Sequence, residues 1–84
     1  MRFAVTPCFV RRVRRLTPAQ QVMLRAALRR FAADPQDPLL RTHKLKGALK
    51  AYWAFAVDDD FRVPFRWEGD LVILVHLGTH DEVY

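Results

Sequence analysis

The chain holds a single cysteine, Cys8, among its 84 residues. An internal disulfide is therefore excluded, and no Cys/His spacing suits a structural zinc. No internal repeat, low-complexity tract or linker divides the chain, so residues 1–84 are expected to form a single domain. No apolar run approaches the roughly 18–20 residues of a membrane span, and no apolar signal-peptide core follows Arg2. The expectation is a soluble, cytoplasmic chain with no membrane partner. A domain this small buries only about 60–65% of its unfolded surface, so a partner covering part of it would add appreciably to its stability.

Acid is also missing, but only from one end. Residues 1–33 contain eight arginines and no Asp or Glu. Residues 1–57 hold 12 Lys and Arg against 2 Asp, whereas residues 58–84 hold 2 Arg against 7 acids. So dense a basic stretch is either a solvated helix face or a surface for a polyanion such as nucleic acid, the ribosome or an acidic protein segment.

What is present divides by period. Arg2–Val5 is short and apolar enough for a strand. Thr6-Pro7 and Thr17-Pro18 each place an N-cap threonine before a proline at the first helical position, and Gln20 completes a capping-box spacing with Thr17. The spacing predicts helices over about 7–15, with Phe9, Val13 and Leu16 inward, and about 18–33, with Leu24, Leu28 and Phe31 inward. Met23 and Ala27 are read as core beside them. Beyond residue 34 the period falls to 2. Leu49–Val57 reads as a half-buried strand, and Phe61, Val63, Phe65 and Trp67 alternate with Arg62, Pro64 and Arg66 in a second. Asp58-Asp59-Asp60 and Glu68-Gly69-Asp70 are turns. Leu71–Leu77, broken only by His76, suits a central strand covered on both faces. Pro64 lacks a ladder donor and predicts an edge or bulged strand. The fold class is α+β, β-α-α-β-β-β, with a helical hairpin on one face of a small, twisted, mainly antiparallel sheet.

Alternation places Lys50, Tyr52, Arg62 and Arg66 on the sheet face away from the helices, with Ala54 and Ala56 leaving room between them. A basic, open face with a tyrosine suits single-stranded RNA: cations meet phosphate and the ring offers a stacking platform. His43-Lys44-Leu45-Lys46-Gly47 brings an imidazole and two ammonium groups ahead of a glycine expected to permit a bulge or sharp turn. His76 reads as a core histidine, whereas His80 lies past the last strand, free to reach back over the sheet. In an extended segment the two are roughly 13 Å apart, unsuited to sharing a metal, and no nucleophile triad stands out. Neither a metal nor a cofactor is expected.

His43–Gly47, then Tyr52-Trp53-Ala54-Phe55, then Asp60-Phe61-Arg62-Val63, then Gly78-Thr79-His80-Asp81-Glu82-Val83-Tyr84 resemble, in order and spacing, the RelE/YafQ-type toxins of type II toxin–antitoxin systems. The resemblance spans essentially the whole chain. It implies a ribosome-dependent endoribonuclease that cleaves mRNA by attack of the RNA 2′-hydroxyl on the adjacent phosphate, giving a 2′,3′-cyclic phosphate. It further implies neutralisation by a cognate antitoxin, with operator DNA bound only through the toxin–antitoxin complex. Carried over by motif, His80 becomes the leading acid/base group and Arg62 the phosphate clamp. His43 matches a histidine used by YafQ-like members. Asp60 orients a neighbour, and Tyr84 stacks on a base or assists proton transfer. Lys44, Lys46, Lys50, Tyr52, Arg66 and His76 contact RNA, while Asp81 and Glu82 are structural. The chain departs from the pattern at Ala56, where some relatives carry histidine, at His76, where some carry arginine, and at Pro64, usually an aliphatic residue. Two other readings fit the same residues: a ParE-like toxin acting on DNA gyrase, and a binding module without catalysis.

Overall fold

The computed structural model describes residues 1–84. Arg2–Val5 form β1, Pro7–Arg14 α1 and Pro18–Ala33 α2. His43–Lys44 form β2, Trp53–Ala56 β3, Phe61–Glu68 β4, Leu71–Leu74 β5 and Gly78–Thr79 β6, and His80–Val83 close the chain with the single turn of α3. Both threonine caps form as expected. Thr6 Oγ1 accepts from the Phe9 N–H at 3.1 Å, and Thr17 and Gln20 make a reciprocal capping box. No helix is long and apolar enough to cross a membrane.

The sheet order is β1-β5-β4-β3-β2, with β6 pairing β4 beyond the end of β5. β1 runs parallel to β5 and every other pair is antiparallel, so β3-β4-β5 is the expected meander. The helix-side face carries the core. Phe55, Val63, Phe65, Val72, Leu74 and Leu77 are buried against Phe9, Leu24, Ala27, Phe31 and Leu40. Phe31 is its hub. Its ring centroid lies 5.0 Å from Phe55, 5.0 Å from Phe65 and 5.7 Å from Trp67, within the range of favourable aromatic pairs.

Four expectations need correcting. β4, which carries Pro64, is not an edge strand; it lies between β3 and β5. The proline is tolerated because its missing donor faces the β5 side, where the ladder breaks. The Val75 N–H donates to the Pro64 carbonyl at 2.9 Å. The return bond cannot form, and the Val75 carbonyl instead accepts the Thr6 hydroxyl at 2.6 Å. Second, the apolar run 71–77 is not one strand covered on both faces. Val72 and Leu74 are buried while Leu71 and Ile73 are half-buried, and the strand stops at Leu74. Third, the Leu49–Val57 strand begins only at Trp53, because Gly47, with φ +67°, starts a 3₁₀ turn over Gly47–Leu49. Fourth, Met23 is not core but 38% exposed.

Candidate active site

Residues directly opposite in a ladder share a face. On the face away from the helices, one row therefore runs His43, Ala54, Pro64, and a second Ala56, Arg62, Gly78. Tyr52 continues the alternation of β3 onto this face, as Arg66 does that of β4. The alternation expected for Tyr52, Arg62 and Arg66 thus holds. That of Lys50 does not, because it closes the 3₁₀ turn rather than lying in a strand, although it stays exposed nearby. Lys44 pairs with Trp53, so it shares the helix-side face and parts from His43. Lys46 is exposed at the start of the 3₁₀ turn.

The C-terminal residues are not a tail. Gly78–Thr79 extend the sheet alongside Phe61 and Arg62, and α3 folds back against β4. Thr79 and Glu82 form a capping box across this one turn, with the Thr79 N–H donating to Glu82 Oε1 at 2.9 Å. Arg12 of α1 ties it down. Its Nε donates to the Leu77 carbonyl at 2.8 Å and its Nη2 pairs with Glu82 Oε2. The Thr79 N–H and the Arg12 guanidinium hold the Glu82 carboxyl down at about 2. Gly78 is where these groups crowd the backbone: a Cβ there would lie 2.7 Å from Arg12 Nη2 and 3.0 Å from Glu82 Cβ.

This latch sets Tyr84 near Arg62 and His80 against Tyr84. The His80 and Tyr84 rings meet edge-on, centroids 4.6 Å apart and planes at 86°, and His80 Nδ1 lies 3.5 Å from Asp81 Oδ1. Burial pushes the Tyr84 phenol above its ordinary range, against the opposing pull of the Arg62 guanidinium, so the hydroxyl keeps its proton. Arg62 is itself anchored. Its Nη1 donates to the carbonyls of Asp58 at 2.5 Å and Phe61 at 3.2 Å, which leaves its other guanidinium N–H groups for an anion. Asp58, not Asp60, organises the turn that supplies these carbonyls: Asp58 Oδ1 accepts from the N–H groups of Asp60 and Phe61 at 2.8 and 2.7 Å. The exposed Asp60 contributes its backbone N–H to that turn.

The face is less open and less basic at its centre than expected. Ala54 and Ala56 are buried. A hollow of about 160 Å³ opens between the 45–52 segment (Leu45, Leu49, Tyr52), the interrupted β4–β5 ladder (Pro64, Val75, His76) and Val83 of α3. His76 is half-buried there, its Nδ1 accepting the Leu77 N–H at 2.7 Å. At the sheet edge, His43 is exposed, with Nδ1 2.8 Å from the Arg41 carbonyl. Arg66 pairs with Glu68 of its own strand at 3.2 Å, while its Nε is buried without a partner. The structure thus sets Tyr84 near Arg62, places His80 against Tyr84, and sets His76 by the hollow. It leaves His43, Lys46 and Lys50 at the periphery and Lys44 on the other face. Sequence reasoning missed Asp58, Arg12 and Gly78. The one signal available for Asp58 was its place at the head of an acidic run closing a hairpin.

No protein-family model matches the chain, and no curated protein matches it in sequence. Solved structures do match. A YoeB/ParE toxin from Agrobacterium tumefaciens superposes with a TM-score of 0.76 at 20% identity, over 95% of this chain and 99% of that one. YafQ from E. coli strain BL21(DE3) gives 0.73 at 17% identity, over 100% and 99%. The toxin–antitoxin complex RelBE2 from Mycobacterium tuberculosis gives 0.66 at 18%, over 94% and 96%. With a threonine-capped helical pair on one face of a mainly antiparallel sheet, and the last residues folded back onto the other, the chain has the RelE/YafQ-type toxin fold.

Proposed function

We propose that the protein is the toxin of a type II toxin–antitoxin system and acts as a ribosome-dependent endoribonuclease. The observation that carries this reading is the folding of the C-terminal turn, with His80 and Tyr84 ring against ring, onto β4 so that Tyr84 lies near Arg62. Cleavage through the 2′-hydroxyl needs a proton acceptor, a proton donor and fixed positive charge at phosphorus. In the proposed chemistry Arg62 holds the scissile phosphate and His80 takes the 2′-hydroxyl proton. O2′ bonds to phosphorus, the P–O5′ bond breaks, and O5′ leaves as a hydroxyl with the Tyr84 O–H as its donor. His43, Lys46 and Lys50 steer the RNA strand from the sheet edge, Tyr52 and Arg66 lie along its path, and Lys44 adds positive potential. Asp60 has no role in this scheme.

The structural neighbours include a DinJ–YafQ complex and RelBE2, which is named as a toxin–antitoxin complex. By analogy we assign this chain an antitoxin partner, through which it would reach operator DNA, and the ribosome with its mRNA as its site of action. Arg11, Arg14, Arg15, Arg25 and Arg29 on the two helices take part in none of the ion pairs and offer charge to either partner. Purified protein incubated with translating ribosomes should yield mRNA fragments with new 5′-hydroxyl ends in the decoding site. Intact mRNA together with inhibition of gyrase supercoiling would replace this reading with the ParE-like one.

A further inference from the structure

The hollow beside the C-terminal turn has no part in the chemistry just described. At about 160 Å³ it falls below the roughly 300–1,000 Å³ of a pocket for a drug-sized molecule, and suits one planar ring system. Its walls are of two kinds. Leu45, Pro64, Val75 and Val83 are apolar, and Tyr52 brings an aromatic ring with a hydroxyl. The other polar side chain is His76. Its Nδ1 lies 2.7 Å from the Leu77 N and 3.2 Å from the Leu77 carbonyl oxygen, so the ring meets the backbone through Nδ1 alone. In the tautomer that accepts the shorter contact, Nε2 carries the proton and has no protein partner. An apolar slot with a few fixed polar groups is the usual construction of a site that both holds and discriminates.

We infer that this hollow receives one unpaired nucleobase of single-stranded RNA, held by stacking and apolar contact, with His76 Nε2–H donating to an acceptor on the base edge. The inference rests on the RNA-cleaving reading and deepens it, by making His76 a specificity residue rather than a catalytic one. Val83 precedes Tyr84, and Pro64 lies two residues from Arg62 on the same face. A base seated here is therefore adjacent to a phosphate held by Arg62. The interruption that Pro64 makes in the β4–β5 ladder is then useful: it turns residues 75–77 out of the strand and sets the His76 ring at the hollow. All four bases carry acceptors, but at different edge positions, so a fixed donor favours the base whose acceptor falls opposite it and is left unpaired by the others.

The test uses 2′-O-methyl trinucleotides, which cannot be cleaved, differing only in the middle base and titrated into the full chain off the ribosome. NMR would follow the His76 imidazole, the Tyr52 ring and the Val83 methyls. The expected result is saturable shifts at all three residues and at least a five-fold spread in affinity among the four bases. His76→Leu should compress that spread to within two-fold, and His76→Gln, which keeps a donor, should restore part of it. Val83→Phe, which fills the hollow from an exposed turn, should weaken all four by ten-fold or more. Unmoved Tyr52 and Val83 signals, or an unchanged base ranking in His76→Leu, would overturn the inference. The probe is not cleaved, so a protein that binds it in this way but leaves mRNA intact would refute the nuclease reading alone. A protein that cuts mRNA without these shifts would refute only the base slot.

Discussion

The two faces of the sheet are built from the same strands, yet they are held by different means. On the helix side, buried aromatic and aliphatic groups meet one another directly, with Phe31 touching Phe55, Phe65 and Trp67. On the other side the groups are held by polar tethers to the backbone: Arg62 to the Asp58 carbonyl and His76 to the Leu77 N–H. The first arrangement stabilises the chain, and little in it has hydrogen-bonding capacity to spare. The second fixes polar side chains in position while leaving their remaining donors and acceptors free, as a site that must bind an anion requires. Stability and chemistry are thus separated by one sheet thickness, and substitutions on the two faces should have different signatures.

The largest effect should come from the helix side. Phe31→Ala removes the hub of the aromatic cluster and should destabilise the chain by about 3–5 kcal/mol, as buried Phe→Ala changes do. For a domain of this size that is a large share of a total on the order of 4–13 kcal/mol. Urea unfolding would measure it, and a loss under 1 kcal/mol would show that the core is not centred there.

On the other face, Arg62→Ala and His80→Ala should each lower mRNA cleavage by about 10²–10³-fold, the scale of removing a charge-stabilising donor or a proton-transfer group. His80 is exposed, so the melting temperature of His80→Ala should stay near that of the parent. Arg62→Lys keeps the charge but loses the planar fork and should recover little activity. If His80→Ala unfolds the protein, or either alanine variant remains fully active, the separation of the two faces fails.

The helix side was the legible one. Its periodicities of 3.6 and 2, the Thr-Pro caps and the turn residues are all local signals, and Phe9, Leu24, Phe31, Phe55 and Phe65 fell where pattern placed them. The site was legible in part. Alternation put Arg62 and Tyr52 on one face, but the α3 turn depends on Arg12, about 70 positions away, and no local pattern reports such a contact. Asp58 and Asp60 look alike in an acidic run; only the turn geometry distinguishes the one whose carboxylate accepts two backbone N–H bonds. Pro64 announced an irregular ladder, but pattern could not say whether it marked an edge strand or, as here, an interruption within an interior one.

Gly78 joins the two faces, and Gly78→Ala should have an intermediate effect. The new methyl would press on Arg12 Nη2 and Glu82 Cβ. Loosening that latch should destabilise by about 1–3 kcal/mol, the range for overpacking a fitted contact, and should lower cleavage by displacing His80 and Tyr84. A cleavage rate that falls in proportion to the folded fraction alone would show that the latch stabilises without positioning.

The smallest effect is a local one with acid. The Glu82 carboxyl titrates at about 2 in the folded chain against an ordinary 4.5, so the folded state favours its charged form. The stabilisation from this group is fully present above about 4.5 and is lost as pH falls through the interval toward 2. Because Glu82 is exposed at the surface, solvent screening keeps the consequence for global stability small. It should show instead as loosening of α3, with NMR contacts between the His80 and Tyr84 rings weakening between pH 4.5 and 2 while the Phe31 cluster stays intact. Glu82→Gln should remove the acid dependence, since its amide does not titrate, and should weaken the same contacts already at neutral pH by losing the charged partner of Arg12. If instead the Phe31 and α3 signals are lost together, in the parent and in Glu82→Gln alike, the two faces unfold as one unit and Glu82 is not what fastens the site.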